Sequence, residues 1–150
     1  MRAYMFYAIL AGVAWGVGGY FEKMGLHQMR IPPIVGITLR TLVALAILAL
    51  VSIPAWKSVS FQGQARYWLM IAIGGGLVAG SLGMWSFYSA LAKSENLGIT
   101  LAVAFAFSPL AGTVLGLVRR DQQMDLKVGL GLAAMIAGLV LLQLAHRPAR

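Results

Sequence analysis

Apolar residues run along this chain in five long stretches that show no alternating polar face. The stretches cover roughly residues 4–21, 34–53, 67–92, 99–118 and 128–145, and short charged or Gly/Pro-rich breaks separate them. A helix needs ~20 apolar residues to cross the ~30 Å hydrocarbon layer of a bilayer. Each stretch is about that long, whereas a helix on the surface of a soluble domain keeps a polar side. The pattern predicts an all-α integral membrane protein, a five-helix transmembrane bundle occupying residues 1–150 as a single domain. The longest break, Pro54 to Arg66, reads only as a connector. Met1-Arg2 ahead of an apolar run has the outline of a secretion signal. The run continues through Trp15 to Phe21 without a clear small-residue cleavage site, so it reads as the first span.

Composition agrees: 60% of residues are apolar, 11% are charged, and the mean hydropathy is +0.82. Soluble domains carry ~25% charged residues, so a soluble enzyme core is excluded. With no cysteine, the chain has neither disulfide nor thiolate chemistry. A net charge of +8 would suggest nucleic acid in a soluble protein. Here the basic residues sit at the ends of the apolar stretches, where they meet anionic head groups. The lipid bilayer is therefore the expected partner, and no nucleic acid is.

Five spans place the two chain ends on opposite sides of the membrane. One side receives Arg2, Lys57, Arg66, Arg119, Arg120 and Lys127; the other receives Lys23, Arg30, Lys93, Arg147 and Arg150, while Arg40 lies within a span. Orientation follows the excess of Lys and Arg in short loops, and six against five is hardly an excess. Two readings stand side by side. Either one orientation is decided by Arg119-Arg120 and the Lys57/Arg66 pair, or copies insert both ways round. Tyr4, Phe6, Tyr7, Trp56, Tyr67 and Trp68 all fall on the first side and form an aromatic belt there.

Polar groups inside the spans are few. Arg40 lies six residues past Ile34, roughly 9 Å into the apolar layer at ~1.5 Å per residue. A cation there costs several kcal/mol unless it snorkels or finds a counter-ion. Glu22 and Glu95 lie toward the same side of the membrane and are the candidate partners. Glu22 and Arg40 are thus candidates for gating or coupling; the plainer account is an arginine that ties two helices together. On the third stretch Ser81, Trp85 and Tyr88 share one face, and Trp15, Gly19 and Glu22 do so on the first. Aromatic walls with hydroxyls suit amphipathic or cationic organic solutes, although an isolated stripe favours ordinary packing.

Small residues recur every four positions at Gly12/Gly16, at Gly76/Gly80, and from Thr100 through Ala104, Ser108 and Gly112 to Gly116. In lipid such ridges let helices approach closely. Gly131 and Gly138, with Ala134 between them, form a stripe that can seat another helix of the same protein or of a partner. Pro109 removes the amide that would bond back to Phe105, so a kink is expected there. No Asp or Glu lies near the centre of a span. No HExxH, GxSxG or Walker-type motif is present, and neither His27 nor His146 has a partner at metal spacing. No enzyme, metal or cofactor is expected.

Trp15-Gly16, Lys23, Pro33 and Arg40, then Tyr88-Ser89-Ala90-Leu91, Ser108-Pro109-Leu110 and a polar turn into a Gly-rich last helix, resemble an EamA-type domain of the drug/metabolite transporter superfamily. The likeness spans nearly the whole chain and rests on order and spacing. Where family members often have Gly-Glu before the last helix, this chain has Arg119-Arg120-Asp121, and it holds one five-helix unit where most members hold two. The last two stretches also resemble small multidrug resistance proteins, in the heptad Gly131 to Gly138. The buried glutamate used there for proton coupling has no counterpart, since Trp15 or a near neighbour takes its place.

The resemblance implies a transporter, exporter or facilitator of a small organic metabolite or drug-like solute in a cell's inner (plasma) membrane. One repeat per chain, with balanced charge, implies an antiparallel homodimer working by alternating access. Trp15, Gly19, Ser81, Trp85, Tyr88 and Ser108 would line the path, and Gly131, Ala134 and Gly138 would hold the dimer. The alternatives are half of a heterodimeric transporter with a related chain, and a membrane scaffold subunit that transports nothing. Paired reporters fused after Arg150, one active only in the cytoplasm and one only outside, separate the orientations. Comparable signals from both are expected of the antiparallel homodimer; a signal from one side alone excludes it.

Overall fold

The breaks between apolar stretches become helix ends whose backbone groups find local partners. The computed structural model describes residues 3–59, 65–120 and 123–145; Arg2, Asp121, His146, Arg147 and Arg150 lie outside them. Helix α1 (Ala3–Met29) runs past Phe21 through Glu22, Lys23 and His27, because isolated charged residues do not stop a helix. It stops at Arg30, whose φ of 52° is left-handed. Pro32 follows in an extended conformation and Pro33 opens α2 (Pro33–Trp56). Proline at the first helical position loses nothing, because its missing amide would have had no partner in the helix. The Pro32 carbonyl accepts the Val35 amide at 3.0 Å.

The third apolar stretch is one long helix with a change of winding. It comprises α3 (Ala65–Met70), a π-helical segment (Ile71–Gly83) and α4 (Met84–Lys93). In the π segment the Ser81 hydroxyl donates at 3.1 Å to the Gly76 carbonyl, five residues back. A methyl group at Gly80 would stand 3.0 Å from the Gly75 carbonyl oxygen, so a side chain there would crowd this winding. π winding is rare and usually confined to single turns.

Helix α5 (Leu97–Val118) starts at Asn96, whose side-chain oxygen accepts the Ile99 amide at 3.2 Å. The Ser94 hydroxyl takes the Thr100 hydroxyl at 2.6 Å and donates to the Asn96 carbonyl at 2.9 Å. These bonds satisfy a helix start that would otherwise expose several polar groups. The helix continues through Pro109 and ends at Val118, and Arg120 just beyond it is again left-handed with φ 59°. Helix α6 (Leu126–Ala145) completes the described chain.

The chain is all-α, as the apolar pattern predicts, and no strand occurs among the described residues. Among the described residues five helices are long and apolar enough to cross a membrane: Ala3–Met29, Pro33–Trp56, Ala65–Lys93, Leu97–Val118 and Leu126–Leu144. The residues group into two compact units, Met1–Lys93 and Ser94–Arg150. In the first, α4 packs on both α1 and α2. Its Tyr88 and Leu91 are 2% and 0% exposed, and Leu26 and Ile37 are buried with them. In the second, α5 packs on α6 and Ala106 is buried. Most large apolar side chains on all five helices point outward, an arrangement that water penalises and lipid accepts.

At the far end of α2, the Trp56 and Trp68 rings stack at 6.1 Å, and the Trp56 indole donates to Ser52 Oγ at 2.9 Å. This draws together the ends of α2 and α3 where the aromatic belt is expected.

Gly36 lets α2 approach α1 and α4. A methyl there would lie 3.0 Å from Leu26 Cδ2 and 3.1 Å from Tyr88 Cε1. Gly36→Ala should lower stability by about 1–3 kcal/mol through overpacking, read as thermal unfolding in detergent. Gly12→Ala, where an added methyl meets nothing within 4 Å, should cost nothing.

Candidate functional site

Helical periodicity places three side chains of the first unit around one point. Glu22 sits one turn before Leu26 on α1, Arg40 one turn after Gly36 on α2, and Tyr88 one turn before Leu91 on α4. Because α4 packs on both α1 and α2, Tyr88 reaches the other two residues. Arg40 Nε lies 2.8 Å from Glu22 Oε1. The Tyr88 hydroxyl donates to the same carboxylate. The Tyr88 ring lies against Gly36, which is why that position carries no side chain. Beside this group, His27 Nε2 meets the Leu91 carbonyl at 3.1 Å and ties α1 to α4.

An open pocket of about 540 Å³ adjoins the pair, lined by Glu22, Arg40, Tyr88 and apolar side chains such as Phe21, Leu39 and Val43. Its wall is almost wholly apolar apart from those three groups. The exposure of the pair is uneven: the Arg40 side chain is 38% exposed and that of Glu22 only 19%. The cation is thus the member of the pair that a visiting molecule meets.

The other sequence-derived candidates fall elsewhere. Gly19 is buried in α1, while Trp15, Ser81 and Trp85 are exposed and take no part in lining this pocket. The change of winding ahead of α4, and the inward turn of Tyr88, divide the face on which Ser81, Trp85 and Tyr88 were expected together. Ser108 is exposed on α5, in the second unit. There, α5 and α6 flank a groove of about 440 Å³ whose lining includes Phe105, Ala106, Met135 and Gly138. Gly131 and Ala134 are exposed on α6, and a methyl at Gly131 or Gly138 would meet nothing within 4 Å. That face is open. Among the described residues no cluster of His, Asp and Glu is placed to hold a metal ion.

Gly36, Leu26 and His27 belong to the site and went unrecognised in the sequence. The available signal was spacing: Gly36 and Leu26 each stand four residues from a charged candidate, and so on its face of the helix.

A family model described as the EamA-like transporter family matches residues 2–144. Among curated proteins and among solved structures, none matches.

Removing one member of a buried ion pair typically costs 3–5 kcal/mol; partial exposure of Arg40 reduces this. Glu22→Gln and Arg40→Gln should each destabilise the protein by about 1–3 kcal/mol, after that discount for solvent screening. The double variant should lose less than the sum of the two. Thermal unfolding of all four forms measures the coupling, and strictly additive losses would show that the pair contributes nothing.

Proposed function

The chain belongs to the EamA-like transporter family, and we propose that it carries a small organic metabolite or drug-like solute across the inner membrane, by export or facilitated diffusion. Family membership and the five apolar helices make it a multi-pass membrane protein and a transporter of the drug/metabolite transporter superfamily. The observation that carries the finer reading is the pocket beside Glu22, Arg40 and Tyr88. An apolar cleft of several hundred Å³ with a few convergent polar groups is the usual form of a site for small organic molecules. Ion-paired residues within a span are functional candidates in the same sense.

The working unit in this proposal is an antiparallel homodimer that alternates access between its two copies. The near balance of basic residues supports insertion in both directions. The exposed Gly131, Ala134 and Gly138 supply a face on which a second copy can pack closely. Trp15, Gly19, Ser81 and Trp85 extend the solute path within the first unit, and Ser108 is a separate path candidate within the second. Glu22 serves gating or coupling as the acidic member of its pair with Arg40.

Liposomes loaded with a mixture of aromatic amphiphiles, nucleosides and amino acids test the proposal. Release of at least one component should depend on the protein. It should fall about tenfold or more in Trp85→Ala and in Tyr88→Phe, a loss of ~1.4 kcal/mol of transition-state stabilisation. Tyr88→Phe keeps the buried ring, so the chain should still fold, with stability lowered by about 1–3 kcal/mol for the lost hydrogen bond to a carboxylate. Absence of any protein-dependent release would favour a scaffold subunit.

A further inference from the structure

We propose that the pocket between α1 and α2 recognises the carboxylate of an amphipathic organic acid, and that Arg40 is the residue that holds it. The inference rests on the transporter reading for its purpose, but its chemistry stands on the pocket alone.

The sign of the ligand follows from the pair. Glu22 already accepts from Arg40 and from the Tyr88 hydroxyl, and its side chain is half as exposed as that of Arg40. An incoming ammonium group would meet the guanidinium before the carboxylate. An incoming carboxylate meets the exposed cation directly.

The geometry of the guanidinium points the same way. Arg40 engages Glu22 through Nε, a side-on contact, and the planar fork of an arginine carries a second, end-on pair of N–H donors beyond it. That pair matches the two oxygens of a carboxylate. Arg40 therefore holds Glu22 and a ligand at once, without having to exchange one for the other.

The rest of the pocket sets the tail. Phe21, Leu39, Val43 and Ile47 line it, and they offer dispersion contacts and no hydrogen bonds. A small dianion would leave half its charge facing this wall, where an unpaired charge is strongly disfavoured. An acid with one charged end and an aryl or alkyl body satisfies both parts of the site. The low-dielectric surroundings strengthen the charge-assisted bonds at the polar end.

The test uses the whole chain, purified in detergent and in nanodiscs of phosphatidylcholine, with phenylbutyrate as the probe. Phenylbutyramide and phenylbutylamine are its neutral and cationic counterparts. Phenylbutyrate should raise the unfolding temperature saturably, and the amide and amine should not. Glu22→Gln, which frees Arg40, should bind the acid at least as tightly as the parent chain. The double variant Glu22→Gln/Arg40→Gln, which leaves no buried charge unpaired, should bind it about tenfold more weakly or not at all, the loss of one charge-assisted bond of ~1.5 kcal/mol.

Equal stabilisation by the amine or the amide overturns the proposal, as does acid binding that survives in the double variant or stabilisation by none of the probes. Nanodiscs containing phosphatidylglycerol distinguish a lipid phosphate as the anion. If that lipid alone stabilises the parent chain through Arg40 and blocks the acid, the site belongs to lipid and the proposal falls. Liposome release separates this inference from the transporter reading. Release that is indifferent to phenylbutyrate sinks the acid and leaves transport standing. Arg40-dependent binding without any release keeps the pocket's chemistry and sinks transport.

Discussion

A guanidinium held about two turns inside an apolar span must be neutralised, and the first unit is arranged around that requirement. Arg40 finds Glu22 across the α1–α2 contact at 2.8 Å. Once that bond is fixed, the relative rotation of the two helices is fixed as well, because each residue commits one face of its helix. Tyr88 enters as a third member and spends its hydroxyl on the carboxylate. Gly36 is then the best fit, since a methyl there would crowd the tyrosine ring at 3.1 Å. Neighbouring Leu26 and Leu91 seal the group from one side. The pocket is what remains open on the other.

Much of this was legible in the chain, and the parts that were not share a physical cause. Five helices followed from the length of the apolar stretches, because in lipid the backbone has no other way to satisfy itself within a span. The pairing of Arg40 with an acid at the same depth followed from the cost of leaving it alone, and Glu22 proved to be the acid. Side-chain direction was less secure. The stripe Ser81, Trp85 and Tyr88 assumes 3.6 residues per turn, and residues 71–83 wind differently. Nothing in IAIGGGLVAGSLG announces that winding except its glycines, which composition attributes as easily to helix packing. Helix ends were displaced for a similar reason. Hydropathy falls at Glu22, while the helix itself persists to Met29 and ends on a backbone turn at Arg30.

The two left-handed arginines share a logic of their own. Arg30 and Arg120 each close a helix with φ near 50–60°, a conformation that glycine adopts most easily. Each places a cation beside the unpaired carbonyls of a helix C-terminus, where positive charge is favoured. Both lie just beyond the ends of apolar spans, where basic side chains are favoured beside lipid phosphate. In the second unit the opposite end of α5 is secured differently, by neutral hydroxyl and amide groups at Ser94, Asn96 and Thr100.

The π-wound segment bears on the thickness of the bilayer. The third span runs for 29 residues, Ala65–Lys93, and as a regular α-helix it would be about 43 Å long, well beyond the ~30 Å of hydrocarbon. A helix too long for its bilayer must tilt, bend or thicken the lipid around it. Winding more residues into each turn shortens the advance per residue, so the segment brings Trp68 and Tyr88 closer along the helix axis than regular α winding would. In this chain a side chain at position 80 would crowd the Gly75 carbonyl at 3.0 Å, so glycine there favours the winding that shortens the third span.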